Sequence, residues 1–124
     1  MASIKRFEDI QAWQAARDLT RATYTVSKRE DFGRDFRLRG QIQGSAISVM
    51  SNIAEGFDAR TDREFIRFLG YARRSATELQ SQLYIALDQA YITPEEFRKI
   101  YEQAKKVKSL IGGFIRYLEG RKWT

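Results

Sequence analysis

From Phe65 to Leu118 the apolar side chains return every three or four positions, in two runs separated by a turn that holds the chain's single proline. The first run is Phe65, Phe68, Ala72, Ala76, Leu79, Leu83, Ala86 and Ala90; the second is Phe97, Ile100, Ala104, Val107, Ile111, Phe114 and Leu118. A period near 3.6 places each run on one stripe of an α-helix, and such a stripe needs another apolar surface to cover it. Each run opens on a capping box. In Thr61-Asp62-Arg63-Glu64 the threonine hydroxyl can accept a free amide while the glutamate reaches back, which predicts a helix over 61–90, about 45 Å long. Thr93-Pro94-Glu95-Glu96 starts a helix over 93–119, with proline at the first helical position, where a missing amide costs nothing. Gly112 and Gly113 weaken this helix by roughly 1 kcal/mol each, and Gly120 is expected to end it.

Two earlier stretches show the same period. Ile10, Trp13, Ala16, Leu19 and Thr23 predict a helix over 7–28, closed by the break at Asp31-Phe32-Gly33. Leu38, Ile42, Ala46, Val49, Ile53 and Phe57 predict another over 34–57, closed by Gly56 and Asp58-Ala59-Arg60. No stretch alternates with period two over the length of a strand, and neither a repeat nor a linker divides the chain. The expectation is one all-α domain spanning 1–124, an antiparallel up-down-up-down four-helix bundle.

Composition narrows the chemistry. The chain has no cysteine and no histidine, which excludes disulfides, thiolate nucleophiles and zinc–thiolate sites and removes the commonest general acid–base group. A di-iron bundle of the Glu-x-x-His kind cannot be built. No loop has calcium-ligand spacing, and there is no Gly-rich phosphate loop. The expectation is therefore a non-enzyme with no catalytic residue, no metal and no cofactor. No run approaches the roughly 18 apolar residues of a membrane span, and Met1-Ala2-Ser3-Ile4-Lys5-Arg6 lacks the apolar run of a secretory signal, so a cytoplasmic protein without a membrane partner is expected.

The 22 Lys and Arg outnumber the 16 Asp and Glu, for a formal net charge of +6 in 124 residues. Such a balance attracts polyanions, chiefly RNA or DNA, although a moderate charge also keeps small domains in solution. At 100° per residue Arg60, Arg63, Arg67 and Arg74 fall within about 60° of arc, roughly 150° from the apolar seam of the third helix. Tyr71 shares that face, and Glu64 and Glu78 are the acids near it. A solvated outer face is one reading. A nucleic-acid interface is the other, because guanidinium pairs with phosphate and tyrosine stacks on bases. Arg34, Arg37 and Arg39, Arg17 and Arg21, and Lys105, Lys106 and Lys108 are read as solvated.

The second helix is apolar on more than one side. Phe36, Ile47, Met50 and Ala54 form a stripe displaced by roughly 100° from its core stripe, interleaved with Gly40, Gly44, Ser45, Ser48 and Ser51. Either this face, with Phe36, Gly40, Gly44, Ile47 and Met50, meets another subunit, or the small residues let two helices of one chain approach closely. Asn52 and Glu55 are read as structural polar residues that tie the loop around Gly56 to a neighbouring helix, since a lone carboxylate has no partner base or metal ligand. Tyr84, Tyr91, Tyr101 and Tyr117 are read as rim residues with buried rings and wet hydroxyls.

Phe7-Glu8-Asp9-Ile10 followed by Trp13-Gln14-Ala15-Ala16-Arg17, then Ser51-Asn52-Ile53-Ala54-Glu55-Gly56-Phe57, then Glu64-Phe65, Phe68-Leu69, Ala72, Ser75 and Glu78-Leu79, together resemble the 23S ribosomal-RNA intervening-sequence protein family over about Phe7 to Leu118. The family is similar to the accessory variability determinant proteins of diversity-generating retroelements. The resemblance implies a four-helix bundle that assembles as a homopentamer. It also implies a basic surface for nucleic acid and, by analogy with the retroelement proteins, a reverse transcriptase or other protein as a partner. It makes Asn52 and Glu55 structural and supplies no catalytic residue. The segment Gly33-Arg34-Asp35-Phe36-Arg37-Leu38-Arg39-Gly40 departs from the family's usual pattern. Two functions compete: a homo-oligomeric nucleic-acid-binding accessory factor that reads little sequence, and a protein-interaction scaffold whose charge only aids solubility.

Overall fold

The two longest apolar runs of the sequence become the two longest helices. The computed structural model describes residues 4–121. A 3-10 turn at Phe7–Asp9 is followed by α1 (Gln11–Ser27), the short α2 (Glu30–Arg34), α3 (Phe36–Phe57), α4 (Asp62–Asp88) and α5 (Pro94–Arg121). Residues 1–3, part of the stretch searched for a signal, and 122–124 lie outside the described residues. No helix among the described residues is long and apolar enough to cross a membrane.

The four long helices run alternately up and down. Each packs on the next, α1 on α3, α3 on α4, α4 on α5, and α5 on α1 closes the ring. Cross-helix bonds fix the antiparallel register. The Ser45 hydroxyl bonds Gln82 Oε1 at 2.9 Å, Gln80 Nε2 donates to the Tyr101 carbonyl at 3.4 Å, and Arg121 clasps Asp62 through two bonds of 2.8 Å. Leu19, Ile42, Ile53, Leu79, Leu83, Val107 and Ile111 are fully buried between the rods. Each such side chain contributes about 1.5–3 kcal/mol by leaving water.

The structure moves several sequence-based boundaries. The first helix does not begin at residue 7: the chain turns through Phe7–Asp9, Ile10 is extended and fully buried, and α1 starts at Gln11. Asp31-Phe32-Gly33 is not a break but the middle of α2, anchored because Phe32 is only 1% exposed. Leu69 rather than Phe68 points into the core of α4. Ala90 lies beyond α4 with φ of 60°. There it serves as the left-handed residue of a Schellman turn, in which the Tyr91 amide bonds the Ala86 carbonyl at 2.9 Å and the Ala90 amide bonds Leu87 at 3.0 Å. Gly120 does not stop α5, which runs to Arg121.

Both predicted caps form, and they differ. Thr93 Oγ1 accepts the Glu96 amide at 3.1 Å while Glu96 Oε1 accepts the Thr93 amide at 3.0 Å, a closed box. Two bonds from Arg29 then clamp Glu96 at 2.9 and 3.0 Å, and these bonds hold its carboxyl below the ordinary glutamate value. At the head of α4 only the Thr61 half closes, to the Glu64 amide at 3.1 Å. The Glu64 carboxylate turns instead to Arg67, and Asp62 is held below its ordinary value by the bonds from Arg121.

Candidate nucleic-acid interface

Helix α4 turns its apolar seam inward and so must present the opposite arc to solvent. Arg63, Arg67 and Arg74 stand exposed on that arc, as their spacing predicts. Arg60 is exposed but sits in the turn before the Thr61 cap, so helical register does not align it with the others; it lies at the foot of the row. Tyr71 is half-buried beside Phe68, with ring centroids 6.0 Å apart. The guanidinium carbons of Arg67 and Arg74 lie 5.8 and 5.7 Å from the Tyr71 ring centroid, one on each side along the helix. Each such contact is worth about 0.5–1 kcal/mol at an exposed site. It also sets both guanidinium groups over one aromatic ring.

Only Arg67 of the three has an acidic partner, Glu64 at 3.0 Å, and both side chains are about half exposed. An open pair of this kind holds its members weakly, by under about 1 kcal/mol. Arg60, Arg63 and Arg74 make no ion pair among the described residues, and neither does Arg73. Arg73 is exposed on the flank of α4 that faces α5. Sequence reasoning passed it over, although its position beside Arg74 could have flagged it.

The outer face of α3 is also open. Phe36 is 71% exposed and Ile47 46%, and Met50 and Ala54 are half-buried. A methyl group added at Gly40 or Gly44 would meet nothing within 4 Å. The idea that these glycines let helices of one chain approach closely therefore fails for both. Gly56 is the close approach inside the bundle, where an added Cβ would sit 2.8 Å from Phe65 Cδ1 and 2.9 Å from Phe68 Cβ.

The profile of the 23S rRNA-intervening sequence protein family matches residues 8–113. The chain belongs to that family. A crystal structure of a protein of unknown function from Bacteroides thetaiotaomicron, assigned to the S23 ribosomal protein family, has the same fold. It aligns with a TM-score of 0.77 at 23% identity, over 85% of this chain and 95% of that one. Among curated proteins, none has a sequence that matches this chain.

The segment Ser51–Phe57, which carries much of the resemblance to the intervening-sequence family, divides its two polar residues. Asn52 Nδ2 donates to the Ser48 carbonyl at 2.8 Å and to Ser48 Oγ at 3.0 Å. Ser48 Oγ in turn bonds Ser75 Oγ of α4 at 2.9 Å. Asn52 thus supports the middle of the α3–α4 seam, not the loop around Gly56 as expected. Glu55 is exposed and has no hydrogen-bond or ion-pair partner among the described residues, so it ties nothing down. The Ser48–Asn52 spacing of four could have shown the first of these in advance. Among the described residues no three carboxylates gather into a group able to hold a metal ion.

Proposed function

We propose that this family member is a non-enzymatic, self-associating protein that binds nucleic acid through the outer face of α4. The observation that carries this reading is Tyr71 set between the exposed guanidinium groups of Arg67 and Arg74, with Arg63 one turn further and a single acid engaged along the row. Guanidinium forks suit phosphate oxygens, and Tyr71 with the two guanidinium groups over its ring offers bases stacking and cation–π contact. Affinity comes mainly from phosphate contacts, so sequence preference is slight and binding falls steeply with salt. The family's description, with its reference to an intervening sequence in 23S rRNA, agrees with a polynucleotide partner.

Self-association uses the outer face of α3, where Phe36 and Ile47 lie open around two glycines that leave room for a second copy. An assembly would repeat the α4 row around a common axis and multiply phosphate contacts.

Reversing Arg63, Arg67 and Arg74 to Glu tests the interface. The triple variant should lose binding to RNA and DNA while keeping its helical content. Reversing Arg17, Arg21 and Lys28, three exposed cations at α1 with the same total charge, should lower affinity only modestly and leave the salt slope nearly unchanged. Equal losses in the two variants would reduce the effect to net charge and reject α4 as the site. Flat titrations of the native protein at low salt would leave a protein-presenting scaffold.

A further inference from the structure

A second group of aromatic rings lies on the opposite flank of α4 and has no part in the interface described above. Tyr84 is 50% exposed, so its ring is not the buried rim ring that the sequence suggested. Its centroid is 4.8 Å from that of Phe97 and 6.1 Å from that of Tyr101, and Phe97 and Tyr101 stack at 5.4 Å. The three rings form a ledge along the mouth of the α4–α5 groove. Neither the Tyr84 nor the Tyr101 hydroxyl makes a hydrogen bond among the described residues, so neither ring is held there by its polar end.

The ledge stands in a basic groove. Gln80 locks the register of the two helices: its amide nitrogen donates to the Tyr101 carbonyl at 3.4 Å, and Lys108 Nζ donates to its Oε1 at 3.1 Å. That register puts Lys105 and Lys108 of α5 and Arg73 of α4 on the same groove, within about 17 Å of Tyr84 along the helix axis. Arg98 lies one turn before Tyr101 on α5. None of the four cations makes an ion pair among the described residues; Asp88 and Glu102 are acids alongside. A polyanion meets attraction on this wall, and at its end it meets half-exposed rings. Phosphates alone account for the cations. The rings call for a planar apolar partner, and in a duplex the bases are already stacked on one another and cannot supply it.

We infer that the Tyr84–Phe97–Tyr101 ledge stacks unpaired bases, so that the preferred ligand is a single strand whose phosphates follow Arg73, Lys105 and Lys108. This rests on the reading of α4 as a nucleic-acid surface and adds the class of strand it takes. One exposed ring is worth about 5- to 150-fold in affinity where a base stacks on it.

The test compares three probes at one salt concentration by fluorescence anisotropy: a short mixed-sequence DNA strand, the same strand made of abasic sugar phosphates, and its duplex. The native protein should bind the base-bearing strand most tightly. Tyr84→Ala should lower that affinity about 5- to 150-fold and leave the abasic strand and the duplex unchanged, while Tyr84→Phe keeps native binding. If the native protein binds base-bearing and abasic strands equally, the inference is overturned, whatever any variant does, and the ledge is left to a protein partner. A uniform loss across all three probes in Tyr84→Ala overturns it too. If these failures occur while the Arg63, Arg67 and Arg74 reversal still abolishes binding, the proposed function stands without the ledge. If the native protein binds no probe, both fall.

Discussion

Helix α3 carries two apolar stripes, and the bundle treats them in opposite ways. Leu38, Ile42, Ala46, Val49 and Ile53 are at most 6% exposed, while Phe36 and Ile47 on the other side remain 71% and 46% exposed. Side-chain type does not separate them, since Ile53 and Ile47 are the same residue. Their surroundings do: α1 and α4 flank the inner stripe, whereas among the described residues no helix covers Phe36 or Ile47, although Met50 of the same outer stripe packs on the edge of the core. The glycines repeat the contrast, with Gly56 pressed on two phenylalanines and Gly40 and Gly44 open. Periodicity identifies an apolar face. Only closure of the ring tells which face the chain buries itself and which it leaves open.

Paired substitutions break or sharpen this contrast. The largest effect is expected at the isoleucines. Ile53→Ala should cost the fold about 2–5 kcal/mol through the cavity it leaves. Ile47→Ala should stay within about 0.5 kcal/mol of the native monomer, as read by urea denaturation at dilution, yet lower the assembled mass seen by light scattering. Similar losses of fold stability at the two sites would erase the distinction.

The glycines come next. Gly56→Ala forces a methyl group against Phe65 and Phe68 and should cost about 1–3 kcal/mol. Gly44→Ala should instead stabilise the monomer by about 0.5–1 kcal/mol, because alanine loses less backbone freedom in a helix. The same methyl group should weaken self-association. A Gly44→Ala variant that assembles as well as the native chain would remove this glycine from the contact.

The smallest effect comes from a control that touches neither face. Glu96 is held below its ordinary carboxyl value by Arg29 and the Thr93 amide. Its contribution is therefore fully present above the ordinary glutamate range and is lost as pH falls through the lower folded value. Glu96→Gln should cost no more than about 1 kcal/mol at neutral pH, flatten the acid limb of a stability–pH curve, and leave assembly unchanged. A change in assembled mass would show that stability and association are not separable here.

Much of this architecture is legible in the chain because long amphipathic runs repeat their signal. The seam of α5 is buried nearly as its spacing predicts, and both threonine caps form. What could not be read depends on competition or on distant contacts. Five residues of α2 carry no period, and Phe32 is fixed by stacking on Tyr91 from far along the chain, at 5.2 Å. Glu64 was expected to reach back to its cap, but Arg67 one turn on offers a charged donor. In the candidate site, Arg63, Arg67, Tyr71 and Arg74 follow directly from helical angle, whereas Arg60 precedes the cap and escapes that rule. The Tyr84 ledge requires knowing which helix lies beside α4 and in what register, and a helical wheel holds no such information.

One carboxylate at the foot of the bundle has a wider reach than its size suggests. Asp35 receives the Leu38 amide on one oxygen, at 3.1 Å, and the Tyr91 hydroxyl on the other, at 2.9 Å. The first turn of α3 and the α4–α5 hairpin therefore share a fastening. Fraying at either place exposes the other, so the two should open as one cooperative unit across 56 positions of chain.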